Sequence, residues 1–530
     1  MLLLVSLLAI IVPLFFLVIL RMPALKGMAL SAVIVIVASY FVWEMPLDVV
    51  GASVAQGIHK TLTILLILFG AVLLLNTLTH TGAVDRMNVG FQNLSSDMRI
   101  QLVIVGFLFS ALLEGASGFG APAVVIGPLL YALGFTPMAA VVLALVANST
   151  PVPFGAVGTP LIVGLSNTEG ASPALYQEVA MHVTTFDLFL GTWMPLLLIS
   201  IAVILFGGKK KGRFKFIGEM IPWAFIVGLS YTLSAYSYAS IFGPEFVSIL
   251  APLTGLVVAT LMTRFGIFVP KNSWKEAKRE DFSVTPVSGE MSLFRAWSPY
   301  IVVVGLLLMT RLVPSVKEWT QSTLDFSWHH IFGFDEITSA WQVLYSPGTV
   351  LVISALFALV VQRGSIMILK RASKEAITSL VTAGATLLFT LSLVQVFTNS
   401  GIGTPLMSMP DYIAETLATH FGAIWMLVAP TLGQLGTFIT GSATVSTLTF
   451  SPIQESIALQ SGLSVSAVLA GQMIGAAAGS MICVHSVVSA SATVGLSGKE
   501  GDIIRKTLLP SFLYTFGAGI VGTIFLWIVG

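Results

Sequence analysis

The chain reads as long apolar runs separated by short polar punctuation. Leu2–Leu20, Met28–Val42, Thr61–Thr79, Phe189–Phe206, Ile301–Met309, Val350–Val361 and Thr507–Ile528 recur along its length. A helix that crosses a bilayer needs about 20 mostly apolar residues, and this chain supplies such stretches repeatedly. The largest polar stretches, Lys271–Arg295 and Pro314–Ser346, are short beside an independent domain of ~100 residues. The pattern predicts an all-α integral membrane protein with about 12–16 transmembrane segments. Leu2–Leu20 reads as the first of them rather than as a removable signal.

In four places the apolar pattern breaks at membrane depth. Leu113–Pro122 carries three glycines and a proline, and Asn148-Ser149-Thr150-Pro151-Val152-Pro153-Phe154-Gly155 interrupts another apolar run. Later, Thr437–Thr449 is dense in Thr, Ser and Gly, and Gly475–Ser491 is small and polar throughout. Backbone that is not helical is tolerated inside a membrane only where protein buries it or a cavity is lined by it. A helix that stops there leaves free N–H groups and a positive dipole end, which suit a carboxylate without any arginine. Small residues also let helices pack closely, and Gly475–Gly479 fits that reading well.

Loop charge gives a direction to the crossings. Cytoplasmic loops are enriched in Lys and Arg, which puts Lys209–Arg213, Lys271–Arg279, Arg363–Lys374 and Lys499–Lys506 inside. Ser166–Thr185, Pro314–Ser346 and Gly401–His420 then lie outside. The two halves also match. Phe69–Leu75 leading to Thr79–Gly82 resembles Ala383–Phe389 leading to Thr398–Gly401, Glu114–Gly118 aligns with Thr440–Thr444, and Val163-Gly164-Leu165 with Val494-Gly495-Leu496. The charge assignment makes equivalent segments cross in opposite senses, the inverted-repeat plan of secondary transporters. The expected organisation is repeat one over 1–207, two linking helices and a cytoplasmic loop over 208–290, and repeat two over 291–530.

Composition narrows the class. Hydrophobic residues make up 56%, charged residues 9%, and mean hydropathy is +0.95, against ~25% charged in soluble domains. A net charge of +1 argues against nucleic acid, which needs a basic face. One cysteine, Cys483, excludes a disulfide framework and a Cys-based metal site. The expected partners are membrane lipid, a small organic anion and protons, with no cofactor and no metal.

Glu114 is the acid that stands out within an apolar stretch. Such a group costs at least ~2.5 kcal/mol at membrane depth and is a functional candidate by default; its bland alternative is a carboxyl capping free N–H groups. Glu114 and His485 are the candidate proton-coupling groups. Ser117, Gly118, Asn148, Ser149, Thr440, Gly441, Ser442 and Thr444 are the candidate substrate-binding residues, since they occupy the breaks. His329 and His330 lie near Asp335 and Glu336, but no further ligands converge there.

At Glu114-Gly115-Ala116-Ser117-Gly118-Phe119-Gly120-Ala121-Pro122 the sequence resembles the bacterial L-lactate permease family. The resemblance continues through Asn148–Ala156, Arg295–Tyr300, Phe438–Ser442, Val494–Leu496 and Gly498–Glu500, so it covers nearly the whole chain. It implies proton symport of lactate or a related 2-hydroxy acid such as glycolate across the bacterial cytoplasmic (inner) membrane, and no enzymatic activity. Two departures stand out. Where better-known members carry Asp and Lys, this chain has Ala443 and Ser480; if those form an ion pair in relatives, losing both together costs little. The alternatives are a differently coupled, for example sodium-coupled, carrier of another small organic anion, and a proton-conducting subunit. The latter needs several buried acids and lysines along the midplane, and the apolar runs display one acid, Glu114.

Overall fold

The computed structural model describes residues 2–20, 22–117, 121–166, 168–208, 212–279, 282 and 291–529. Among them the chain is helical throughout, with short π and 3₁₀ segments and three isolated β-bridges in place of any strand. Seven helices are long and apolar enough to cross a membrane. Two further pairs are bent at a short break, Pro137–Ala147 with Val152–Ile162 by 63° and Pro173–Phe189 with Gly191–Phe206 by 43°. Five shorter apolar helices of 10–17 residues accompany them.

Burial sorts these helices by position. The segments Met98–Gly115 and Val465–Thr493 are 94% buried within the protein, whereas Ile221–Phe242 and Glu500–Ile528 are 33% buried. An apolar helix buried on all sides belongs to the interior of the bundle, so the first two lie at its centre. Both run into the broken segments.

The core is organised by reciprocal packing between helices from the first and second halves of the chain. Leu47–His80 and Ile366–Thr398 pack along one another. Each also carries the helix that precedes the other: Ala24–Phe41 lies on Ile366–Thr398, and Pro347–Val361 lies on Leu47–His80. The same reciprocity recurs further on. Ala121–Ala132 packs on Val484–Thr493, and Gly155–Ile162 packs on Ala443–Gln460. The Gly475–Gly479 face is a packing surface, because a Cβ at Gly475 would collide with the carbonyl of Pro430.

A buried ion pair ties the start of Met98–Gln101 to the chain at Phe216 and Asn272. Arg99 is fully buried, with Nε 2.9 Å from Asp97 Oδ1 and Nη2 2.5 Å from Asp97 Oδ2. Its remaining donors reach the carbonyls of Phe216 and Asn272. A charge removed from water needs its whole fork satisfied, and here the backbone completes it.

Two expectations need correction. Ser166–Thr185 was expected to be an outside loop, but the helix Pro173–Phe189 occupies most of it, with Ser172 capping the Leu175 N–H. Gly401–His420 likewise contains the helix Met409–Phe421, capped by Ser408. Polar residues on an amphipathic turn gave both stretches the look of loops.

Candidate functional site

The break after Ala147 follows from its sequence. Pro151 and Pro153 have no N–H to continue a helical ladder, so Pro137–Ala147 stops and a single 3₁₀ turn, Val152–Phe154, follows. Ala156, Val157 and Gly158 then adopt left-handed backbone, with φ of 42°, 58° and 76°. For an L-residue that conformation costs roughly 1–2 kcal/mol, and a β-branched valine is an outlier there. Strain of this kind collects at functional sites, held by the surrounding structure.

What surrounds it is Glu114. This residue lies in the helix Ser110–Ser117 and is 1% exposed. Asn148 Nδ2 donates to its Oε2 at 2.9 Å, and Ser110 Oγ donates to Asn148 Oδ1 at 3.3 Å. A Cβ at Gly155 would collide with Glu114 Oε1, so any larger residue there requires the carboxyl to move from its place beside Asn148. Its hydrogen-bond partner is a neutral amide rather than a cation. Protonation of Glu114 therefore changes the charge of a buried site, where Asn148 stays neutral.

On the other side of the same break lies an acid that sequence reasoning missed. Asp187 sits near the end of Pro173–Phe189 and is 4% exposed. Tyr514 Oη donates to its Oδ1 at 2.6 Å and lies 3.5 Å from Thr150 Oγ1. The expectation of one buried acid is corrected: among the described residues Asp97, Glu114, Asp187, Glu455 and Glu500 are buried, and Asp187 is the one that joins Glu114 at this break. The available signal was Asp187 standing between Phe186 and Leu188; it was hidden because the preceding stretch read as a loop.

The second half builds its break from neutral groups. Gly441 ends Trp425–Thr440 with φ 77°, and Ser442 then caps Ala443–Gln460 by accepting from the Val445 N–H at 3.3 Å. Thr440 Oγ1 donates to the Ser442 carbonyl at 3.1 Å. His485 comes to this turn from a distant part of the chain: a Cβ at Gly441 would lie 3.2 Å from His485 Nδ1. His485 belongs to the first turn of Val484–Thr493, and Cys483 Sγ is 3.8 Å from its Nδ1. Behind the turn, Gln454 accepts from Trp425 Nε1 at 2.7 Å and donates to Gln472 Oε1 at 2.8 Å.

The candidate residues thus fall into two groups. Glu114 and Asn148 meet directly, while Thr440 bonds to Ser442 within one turn whose Gly441 meets His485. Ser149 is adjacent, but its Oγ donates to the Val146 carbonyl at 2.8 Å. Thr444 is buried in the first turn of Ala443–Gln460. Ser117 is the last residue of its helix, and Gly118 lies outside the described residues. The groups are joined where Gly155–Ile162 packs on Ala443–Gln460; just beyond, Ser451 Oγ donates to the Gly164 carbonyl at 3.0 Å. Among the described residues no three His, Cys, Asp or Glu side chains gather as a metal site, and His330 pairs instead with Asp335 at 2.7 Å.

Known proteins of the same design are transporters. The L-lactate permease of Bacillus subtilis (strain 168) is 29% identical over 551 residues, covering 96% of this chain and 94% of that protein. The L-lactate permease of Escherichia coli (strain K12) is 28% identical over 541 residues, covering 93% and 90%. The glycolate permease of the same strain is 27% identical over 575 residues, covering 97% and 94%. Residues 3–529 match the sequence model of the L-lactate permease family, through both broken segments, and the chain belongs to that family.

Proposed function

We propose that this multi-pass membrane protein takes up a small monocarboxylate, lactate or a related 2-hydroxy acid such as glycolate, together with protons across the cytoplasmic membrane. The observation that carries the coupling is Glu114, buried against a strained break with only neutral partners. The substrate class follows from relatives whose names are lactate and glycolate permease.

The chemistry is mutual preference. A monocarboxylate held at the breaks by backbone N–H groups and hydroxyls brings a negative charge into a dry cavity. A second negative charge on Glu114 would repel it, so substrate binding favours the protonated carboxyl, and protonation favours substrate. Each ligand then tightens the other's binding by the same factor, as linkage demands, and the loaded carrier moves both together. Ser442, whose Oγ accepts from the Val445 N–H and keeps its own proton, is the first proposed hydroxyl donor; Ser149 would serve by releasing the Val146 carbonyl, and Thr440, Thr444 and Asn148 are the further proposed contacts.

The same reading assigns the two halves as inverted repeats, 1–207 and 291–530. The reciprocal packing of Leu47–His80 with Ile366–Thr398 supports it. Met407→Cys tests the orientation, since Met407 is 43% exposed and the native Cys483 is buried. Labelling from the external side is expected; reaction from the cytoplasmic side alone would overturn the inverted arrangement.

Purified protein in sealed vesicles tests the transport reading. An imposed inward proton gradient is expected to concentrate labelled lactate or glycolate, and an imposed sodium gradient of equal size is not. Accumulation under sodium alone would replace proton coupling by sodium coupling. Absence of uptake of either acid under both gradients would remove the substrate class.

A further inference from the structure

We infer that Asp187 is a second proton-carrying carboxyl of this transporter, wired through Tyr514 to the same broken segment that Glu114 meets through Asn148. The inference rests on the proposed proton coupling and adds a residue to it.

Asp187 is 4% exposed, and its hydrogen-bond partner is the phenol of Tyr514, 2.6 Å from Oδ1. That same phenol oxygen lies 3.5 Å from Thr150 Oγ1. Thr150 directly follows Asn148 and Ser149, the residues that hold Glu114 and offer the hydroxyl of the site. The chain Asp187–Tyr514–Thr150 thus joins three separate elements: the bent span Pro173–Phe189, the last helix Glu500–Val529, and the break after Ala147. A carboxyl needed only to pin helices would be an expensive choice, since an amide or hydroxyl pins them without an ionisable group at membrane depth.

The groups around it leave the phenol in control. Tyr231 faces the carboxyl from Ile221–Phe242. The neighbouring Gly191–Trp193, Gly155–Ile162 and Val465–Ser480 carry no ionisable side chain. On its own helix, His182 lies about one and a half turns before Asp187 and Glu178 about two and a half, where Glu178 accepts from Ser466 Oγ at 2.7 Å.

Direction then follows from proton count. With Asp187 ionised, the Tyr514 O–H must donate to Oδ1, and its oxygen can only accept from Thr150. With Asp187 protonated, the carboxyl O–H donates to the Tyr514 oxygen, and the phenol proton turns to Thr150 Oγ1. One proton added at Asp187 reverses both hydrogen bonds and breaks no covalent bond. The reversal ends at Thr150, in the Asn148–Pro151 turn that precedes the strained Ala156–Gly158 backbone. Phenols and carboxylates exchange hydrogen bonds in this way because each can donate or accept.

Asp187→Asn keeps an acceptor for Tyr514 and cannot titrate; Tyr514→Phe keeps the ring and removes the relay. In vesicles that hold wild-type, Asp187→Asn or Tyr514→Phe protein, three quantities separate the cases: lactate accumulation under a pH gradient, lactate exchange at equal pH, and protons entering per lactate. Both variants are expected to lose at least tenfold in accumulation while exchange stays within about tenfold of wild type. The inference is overturned if Asp187→Asn concentrates lactate with an unchanged proton ratio. It is also overturned if Asp187→Asn loses exchange and accumulation together while Tyr514→Phe behaves as wild type, the signature of a purely structural carboxyl. A wild-type protein that moves lactate without protons would instead defeat the coupling reading on which this rests.

Discussion

The two broken regions, one after Ala147 and one after Thr440, are furnished with opposite chemistry. In the first, two carboxyls, Glu114 and Asp187, bracket the Asn148–Pro151 turn. In the second, the Thr440–Ser442 turn is backed by Gln454 and Gln472, neutral amides whose bonds to Trp425, Ala429 and each other lock three helices. The close approaches are complementary as well. Glycine 155 makes room for Glu114 in the first region, and glycine 441 makes room for His485 in the second. A network of amides is satisfied in one arrangement and does not change with pH, whereas a buried carboxyl has two charge states with different preferred surroundings. The contrast assigns switching to the first region and a fixed binding frame to the second.

Gly155→Ala should have the largest effect on transport. The added methyl collides with Glu114 Oε1, and overpacking of this kind costs typically 1–3 kcal/mol, about tenfold to a hundredfold in rate if it falls on the coupling step. Initial uptake rates under a pH gradient would show it. A rate within threefold of wild type would mean that the carboxyl moves aside freely and that its position is not critical.

Ser480→Lys probes the second region by adding the charge that it lacks. Gly479 packs on Thr437 and Gln434, and Ala443 begins the next helix; positions 480 and 443 are proposed to face each other. An unpaired cation placed there should cut the folded yield by about tenfold, and adding Ala443→Asp should restore it. A double variant that folds no better than the single one separates the two positions in space.

Ser442→Ala should weaken apparent affinity by about tenfold, since a hydrogen bond to a charged group is worth ~1.5–3 kcal/mol. Part of any stability loss belongs to the helix cap, about 1 kcal/mol, so affinity and melting are measured together. Unchanged affinity in both Ser442→Ala and Ser149→Ala would remove these hydroxyls from the site. Gln454→Met should have the smallest effect on coupling. It strands Trp425 Nε1 and Gln472 Oε1 and lowers stability by about 1–3 kcal/mol, while the pH profile of uptake stays that of wild type.

Much of this was legible in the sequence for a physical reason. An acid, a proline pair or a glycine run inside an apolar stretch contradicts the cost of polar groups in lipid, so Glu114, the 148–155 break and the Thr440–Ser442 turn stand out locally. Asp187 did not, because the polar residues before it hid the helix that carries it into the core. The meeting of His485 with Gly441 was beyond reach as well, since it depends on how Val484–Thr493 packs and not on any local pattern. The small residues of Gly475–Gly479 were read correctly as a close-packing face once Pro430 is seen against them.

The central claim is that the first region's carboxyls couple protons to substrate, and Glu114→Gln tests it most directly. Glutamine keeps the size of the side chain and its bond to Asn148 but cannot carry a transported proton. In vesicles under an imposed pH gradient, the variant is expected to lose accumulation of labelled lactate while retaining part of its exchange at equal pH. If Glu114→Gln still concentrates lactate against its gradient, Glu114 is structural and the coupling must reside elsewhere, with His485 of the second region the next residue to test.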